Sequence, residues 1–231
     1  MIVIGLSGYS ASGKDSVADI LVRDYGFTKM AFATPLKEMV KRLDPVVGYD
    51  AGGYYCDCEC CATAFTPIYL HELYDDGYSH EDIKKSEHGT EVRRLWERFG
   101  TEVMRDYHED FWVHRAADDL LNCHLERIVF TDVRFENEAE FIFELGENPV
   151  FDQTENEPRV STLWRVARPG VRGGGWGDHA AEQLAGLLGE EVTILNDGSL
   201  EALQEPVATA MGMLLNKAYP GQQAFEIEGV K

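Results

Sequence analysis

Positive charge is scarce in this chain: Lys and Arg number 21 against 41 Asp and Glu, a formal net charge of −20. A duplex-binding protein needs a basic face to displace counterions, and no such stripe runs along the sequence, so nucleic-acid polymer binding is disfavoured as the main activity. No apolar segment approaches the roughly 18 residues of a membrane span. The N-terminus opens at once on a strand-like run without a basic leader, so no secretory signal is read and the expected compartment is the cytoplasm. Internal repeats are lacking. Cysteine is rare outside one place, since four of the five fall at Cys56, Cys58, Cys60 and Cys61. What remains is an ordinary globular composition, 44% hydrophobic over 231 residues, enough to bury one good-sized core.

The most informative stretch is Gly8-Tyr9-Ser10-Ala11-Ser12-Gly13-Lys14, directly after the apolar run Ile2-Val3-Ile4-Gly5-Leu6. It reads as a buried strand entering a glycine-punctuated loop that opens a helix at Asp15. That is the context a phosphate-cradling loop requires. The glycines let successive backbone N–H groups turn inward as an anion nest, the helix N-terminus adds partial positive charge, and Lys14 adds a full one. The residue after the lysine is Asp15, with the hydroxyl one place later at Ser16. A nucleotide enzyme tolerates an acidic surface because it needs only a local positive pocket.

Strand and helix patterns alternate along the rest of the chain. Helices are expected over 15–25, with Gly26 as a stop, over 34–43 with Pro35 in the first turn, and from Thr90 along the stripe Val92, Leu95, Trp96, Phe99, Val103 and Met104. Further helices are expected over 111–125, 136–145, from about 179, and over 199–217. Short strands are expected at 27–32, 127–131, 162–167 and 192–195, with irregular chain at 45–53. The result is an α/β fold of the P-loop NTPase type, a parallel five-stranded sheet covered by helices on both faces, with its ligand at the carboxyl edge. One domain is expected over 1–217, carrying a cysteine-rich insertion at about 48–88, with a loose tail over 218–231.

Several residues outside the loop bear chemistry. Thr131-Asp132-Val133-Arg134-Phe135-Glu136-Asn137-Glu138 ends a buried strand, which puts carboxylates and an arginine at the functional edge. Asp132 suits Mg²⁺ or substrate there, and Arg134 suits bidentate phosphate contact. The plainer reading is a charged turn in which Arg134 pairs with Glu138. Gly100 interrupts a helix at a cost of ~1 kcal/mol relative to Ala, so close approach of a ligand or neighbouring helix is expected. Trp112 fits either a base platform or the core.

In combination these segments resemble the deoxynucleoside monophosphate kinase family of bacteriophages and some bacteria. The likeness rests on Gly13-Lys14-Asp15-Ser16, Phe32-Ala33-Thr34-Pro35-Leu36-Lys37, Glu91-Val92-Arg93-Arg94, Gly100-Thr101-Glu102 and Asp110-Phe111-Trp112-Val113. It continues through Thr131 to Glu138, Arg165-Val166-Ala167-Arg168-Pro169-Gly170, His179-Ala180-Ala181-Glu182 and Asn196-Asp197-Gly198. The resemblance implies transfer of the γ-phosphoryl of ATP to a (deoxy)nucleoside 5′-monophosphate. Ser10, Ala11, Ser12, Gly13, Lys14, Asp15 and Ser16 would hold the ATP phosphates, with Asp15 or Ser16 ordering Mg²⁺. Lys37, Arg93, Gly100, Thr101, Trp112, Asp132, Arg134 and Glu138 would form the acceptor pocket. Arg168 and Arg172 would bring charge to the transferring group, and Asn196, Asp197 and Gly198 would line the adenine site. Lys14, Asp15, Arg134 and Arg168 are the expected catalytic residues. Two other readings stand beside this one: a small-acceptor P-loop kinase resembling dephospho-coenzyme A kinase, and a non-catalytic nucleotide-binding regulatory protein.

The family does not explain Cys56, Cys58, Cys60 and Cys61. Such crowding in a cytosolic chain suggests a metal over disulfides. A structural zinc clip would draw on these cysteines, or on His71, His80 or His88 to complete a tetrahedron; a reduced, cysteine-rich loop is the alternative. Cys123 reads as core. A homodimer is left open as the assembly.

Overall fold

Ile2–Ser7 forms β1, buried at every position because it is the central strand of a parallel sheet. In the computed structural model, which describes residues 1–50, 66–123, 125–147, 158–171 and 188–220, the chain divides into two compact units. One comprises Met1–Phe32 with Val113–Lys231, the other Ala33–Trp112.

In the first unit β1 is flanked by β5 (Arg127–Phe130) and β6 (Val160–Ala167), while β2 (Thr28–Met30) pairs with β5 and β7 (Val192–Leu195) with β6. Every pairing is parallel, and the order is β2-β5-β1-β6-β7. The register sets Gly5 beside Phe130 and Leu163, and Ser7 beside Arg165. Ile2, Ile4 and Leu6 point to one face, where helix α1 (Lys14–Tyr25) brings Val17, Ile20 and Leu21. On that same face helix α8 (Gln204–Ala218) brings Val207, Met211 and Leu214. Gly5 points to the other face, where an added Cβ would lie 2.7 Å from Leu163 and 3.2 Å from Ile142 of helix α7 (Glu136–Glu147). Both faces are thus covered, and the five-stranded α/β sheet anticipated from the sequence is present. Because β1 is the strand from which the order departs in both directions, its carboxyl end is the topological switch point.

The second unit is mostly helical: α2 (Ala33–Leu43), α3 (Leu70–Asp75), α4 (His80–Lys85) and α5 (Gly89–Glu97), the last running on into a π-helix over Arg98–Arg105. Helix α6 (Phe111–Leu121) begins here. The wider turn surrounds Gly100, where a side chain would lie 2.9 Å from Leu36 of α2. The neighbouring helix therefore accounts for the glycine. Irregular chain was expected at 45–53, but β3 (Val46–Asp50) pairs there with β4 (Thr66–Tyr69) as an antiparallel ribbon. The partner strand lies beyond residues 51–65, so no local pattern announces the pairing. The closing helix begins at Gln204 and not at 199, because Ser199 caps a preceding turn, its Oγ accepting from the Ala202 N–H at 3.3 Å. No helix among the described residues is long and apolar enough to cross a membrane.

Candidate active site

The turn between β1 and α1 is built by backbone conformations that ordinary side chains resist. Gly8 has φ 134° and Gly13 φ 102°. A Cβ at Gly8 would lie 2.3 Å from the Val166 carbonyl oxygen, and one at Gly13 would lie 2.2 Å from Asn196 Nδ2. Both positions thus exclude larger residues twice, by φ and by space. Ala11 also sits in the left-handed region, at φ 61°, the kind of local strain that collects at functional turns. The Ser12 N–H closes the loop onto the Tyr9 carbonyl at 3.2 Å.

Lys14, first residue of α1, folds its ammonium back over this loop, donating to the carbonyls of Gly8 at 2.7 Å and Tyr9 at 2.8 Å. One positive charge is therefore held against the loop, at the amino end of a helix whose dipole adds to it. Ser12 is buried, and its hydroxyl has no hydrogen-bond partner among the described residues. The Asn196 side-chain amide donates to the Ser12 carbonyl at 2.8 Å. The backbone of Asn196 in turn extends the β6–β7 edge, its N–H donating to the Ala167 carbonyl at 2.8 Å. Asn196, expected at the adenine site, thus also ties its amide nitrogen to the loop.

In the first turn of α1, Asp15 is exposed and Ser16 half-buried. Asp15 forms an ion pair with Lys29 at 2.7 Å, and Lys29 also reaches Asp19 at 3.3 Å. Partial burial pulls the Lys29 ammonium down, but the two carboxylates outweigh it and its pKa is raised. A carboxylate and a hydroxyl on adjacent residues are hard oxygen donors, and Mg²⁺ commonly takes only one or two protein ligands. Asp15 and Ser16 are donors of that type, with the Asp15 carboxylate held by Lys29. Among the described residues no three His, Cys, Asp or Glu side chains converge as a metal site.

At the end of β5, Asp132 accepts the Phe32 N–H at 2.8 Å, next to the Val133 N–H that donates to the Leu6 carbonyl of β1. This sets the carboxylate at the carboxyl edge of the sheet, one strand from the loop. Glu138 is buried, and its Oε2 accepts the N–H groups of Arg134 at 2.8 Å and Phe135 at 3.2 Å. The carboxylate therefore closes the amino end of α7, contacting the backbone of Arg134 while that residue is exposed. Arg168 is exposed in a turn in which the Val171 N–H donates to the Arg168 carbonyl at 3.2 Å, with Gly170 at φ 80°. Arg172 lies outside the described residues. Asn196, Asp197 and Gly198 line a cavity of about 570 Å³ with Leu195, Pro206 and Met213.

The helical unit carries the other five acceptor-site expectations. Lys37 stands over the Trp96 ring, its Nζ 5.6 Å from the centroid. Arg93 is exposed and donates to the Lys84 carbonyl at 3.2 Å. Thr101 follows Gly100 in the π-helix. Trp112 is buried, only 4% exposed, and its indole N–H donates to the Gly100 carbonyl at 3.0 Å. This bond satisfies a carbonyl in the widened turn and locks Trp112 into the unit. Cys56, Cys58, Cys60 and Cys61 lie outside the described residues. The three histidines weighed with them have separate settings: His71 bonds Asp44 at 2.7 Å, His80 stacks edge-on with Tyr74 and Trp96, and His88 abuts Gly48. Cys123, expected in the core, is exposed, because α6 ends at Leu121 and Cys123 lies in the turn beyond it.

No family model matches this chain. A protein of Acanthamoeba polyphaga mimivirus named "Putative deoxynucleotide monophosphate kinase" is 24% identical over 224 residues, spanning 91% of this chain and 96% of its own length. An unliganded sugar kinase from Janibacter sp. HTCC2649 covers 91% of this chain and 93% of its own at 15% identity, with a TM-score of 0.33, too low for its architecture or activity to bear on this chain. The viral relative and the loop geometry together support a kinase, without fixing its acceptor.

Proposed function

We propose that the chain is an ATP-dependent phosphotransferase acting on a (deoxy)nucleoside 5′-monophosphate. The observation that carries the reading is the Gly8–Gly13 turn with the Lys14 ammonium folded over it. The name of the viral relative supports the acceptor class.

In this reading the backbone N–H groups of the loop and Lys14 bind the β- and γ-phosphates of ATP. Lys14 exchanges its two carbonyl partners for phosphate oxygens, a switch that costs little because both states are hydrogen-bonded. Asp15 and Ser16 would hold Mg²⁺, which would supply charge neutralisation of the phosphates. Asp197 and Gly198, in the 570 Å³ cavity, border the adenine. Within the helical unit Lys37, Arg93 and Thr101 are the acceptor-recognition candidates, and within the sheet unit Asp132 and Arg134 are, each set taken by itself. Glu138, Gly100 and Trp112 act by holding the backbone and helices that carry those groups. An acceptor phosphate oxygen is already anionic, so it attacks the γ-phosphorus without a strong general base. The bond to the ADP leaving oxygen breaks, and the products are ADP and a nucleoside diphosphate. Alignment and positive charge from Lys14, Arg134 and Arg168 do the catalysis.

A coupled ADP-release assay over the deoxy- and ribonucleoside monophosphates tests this. One or more acceptors should accelerate ADP release well above the acceptor-free rate, and Lys14→Met should lower that rate by about 10²-fold or more with unfolding unchanged. ATP binding with no acceptor-dependent turnover would leave the regulatory reading in its place.

A further inference from the structure

Five side chains of the helical unit form a cluster that the proposed chemistry does not use as a whole. Tyr74 of α3 meets the His80 ring of α4 edge-on at 5.4 Å between centroids, and His80 meets Trp96 of α5 in the same way at 5.9 Å. From α2, one helical turn apart, Lys37 lies over Trp96 and Lys41 lies 4.2 Å from the Tyr74 centroid. The polar tips of the three aromatic residues are all buried: Tyr74 Oη, His80 Nε2 and Trp96 Nε1 have no hydrogen-bond partner among the described residues. Trp96 itself is only 6% exposed. A buried polar atom left without a partner is destabilising and uncommon, and here three fall in one contiguous cluster.

The chemistry of the orphans defines what would satisfy them. An indole N–H only donates, a phenol donates readily, and an imidazole donates from Nε2 when that nitrogen carries the proton. Two ammonium groups border the same rings. Burial and the charge of Lys37 depress the His80 pKa, Glu38 opposes them, and Lys41 and Lys84 depress it further, so the field at the ring is net positive. At Tyr74 burial and the charge of Glu38 push the phenol up to about 12, so it stays protonated as a donor. Donors without acceptors, beside a ring where the field is net positive, are complementary to a compact, multiply charged oxygen acceptor.

We propose that Tyr74, His80 and Trp96, with Lys37 and Lys41 over them, form an oxyanion subsite for a phosphate-class ligand, taken as free phosphate or as the phosphoryl group of a nucleotide. The two lysine side chains are its movable members, since long flexible stems can swing from the ring faces onto an anion. The subsite rests on the helical unit alone and stands whether or not the β1–α1 loop binds ATP.

The indole N–H resonance of Trp96, assigned by its loss in Trp96→Phe, is a reporter inside the cluster. Full-length protein is titrated with inorganic phosphate, with deoxynucleoside monophosphates, and with the matching deoxynucleosides, against chloride at equal ionic strength. A saturable shift with phosphate identifies the free ion as sufficient. A shift with the monophosphates alone identifies the nucleotide's phosphoryl group as the ligand. His80→Phe keeps an aromatic ring, somewhat larger, and removes the nitrogens, and it should weaken the responding ligand about tenfold or more. A resonance unmoved by phosphate and monophosphates, or moved equally by the uncharged deoxynucleosides, overturns the proposal. That titration uses the unsubstituted chain and so survives a folding defect in the variant.

Discussion

Asn196 donates from its side-chain amide to the carbonyl of Ser12 at 2.8 Å, and this single bond couples the far end of β7 to the middle of the loop after β1. The same amide occupies the space where a Gly13 side chain would be. Asn196 therefore acts as a positioning residue for the loop. Asn196→Ala leaves the Ser12 carbonyl without its donor and should cost about 1–3 kcal/mol. Asn196→Asp is expected to be worse, because a carboxylate would face that carbonyl oxygen. Urea unfolding measures the first effect, and ATP titration should show weaker binding in both variants. Unchanged ATP affinity in Asn196→Asp would remove the positioning role.

Asp15 is 76% exposed and paired with Lys29 at 2.7 Å. Exposed ion pairs contribute about 0–1 kcal/mol, so neither partner is needed for stability. A role in ordering Mg²⁺ predicts a different signature. Asp15→Asn should raise the Mg²⁺ concentration for half-maximal turnover while the unfolding midpoint moves little. Lys29→Ala, which frees the carboxylate from its ion pair with this lysine, should leave the Mg²⁺ requirement unchanged or lower it. A shared loss of stability without any change in Mg²⁺ dependence would return Asp15 to a surface role.

Glu138 accepts two backbone N–H groups at the start of α7. Its removal should therefore damage the fold before it damages substrate recognition. Glu138→Ala is expected to cost about 1–3 kcal/mol, with Glu138→Gln recovering part of it because an amide oxygen still accepts. The acceptor KM of Glu138→Gln should stay near that of the parent. A selective rise in KM with full stability would move the carboxylate into the acceptor site.

Local chemistry was legible in the sequence and distant partnership was not. Ile2–Ser7 and the glycine–lysine turn are read from adjacent residues, and the structure has them as strand, turn and helix. The parallel sheet follows from short apolar runs separated by helices. By contrast, β3 was unread because its partner β4 lies past residues 51–65. The Asn196–Ser12 bond spans a sequence separation of 184, which no spacing rule reaches. Arg134 and Glu138 were rightly seen as neighbours, yet the bond runs from the arginine's backbone N–H, a distinction that residue types cannot make. From residue type and spacing His80 reads only as a possible metal ligand. Its setting among Tyr74, Trp96 and the α2 lysines needed four helices to be packed first.

The pH dependence of stability follows from that same histidine. Burial, Lys37, Lys41 and Lys84 lower the His80 pKa in the folded chain, against the single opposing charge of Glu38, while the unfolded chain titrates near the ordinary value of about 6.5. Between those two values the unfolded state binds more protons, so the stability contributed is present above about pH 6.5 and is lost as pH falls towards the folded value. Removing the imidazole removes that dependence: the stability difference between unsubstituted protein and His80→Phe should change between about pH 7.5 and about pH 5.5. Comparing the two proteins cancels the carboxylates they share. A phosphate-class anion bound beside the ring favours the protonated form, so added phosphate should shrink the parent's extra acid loss and leave His80→Phe unaffected. Parallel urea midpoints for parent and variant across this range, with and without phosphate, would mean that His80 titrates as it does in the unfolded chain.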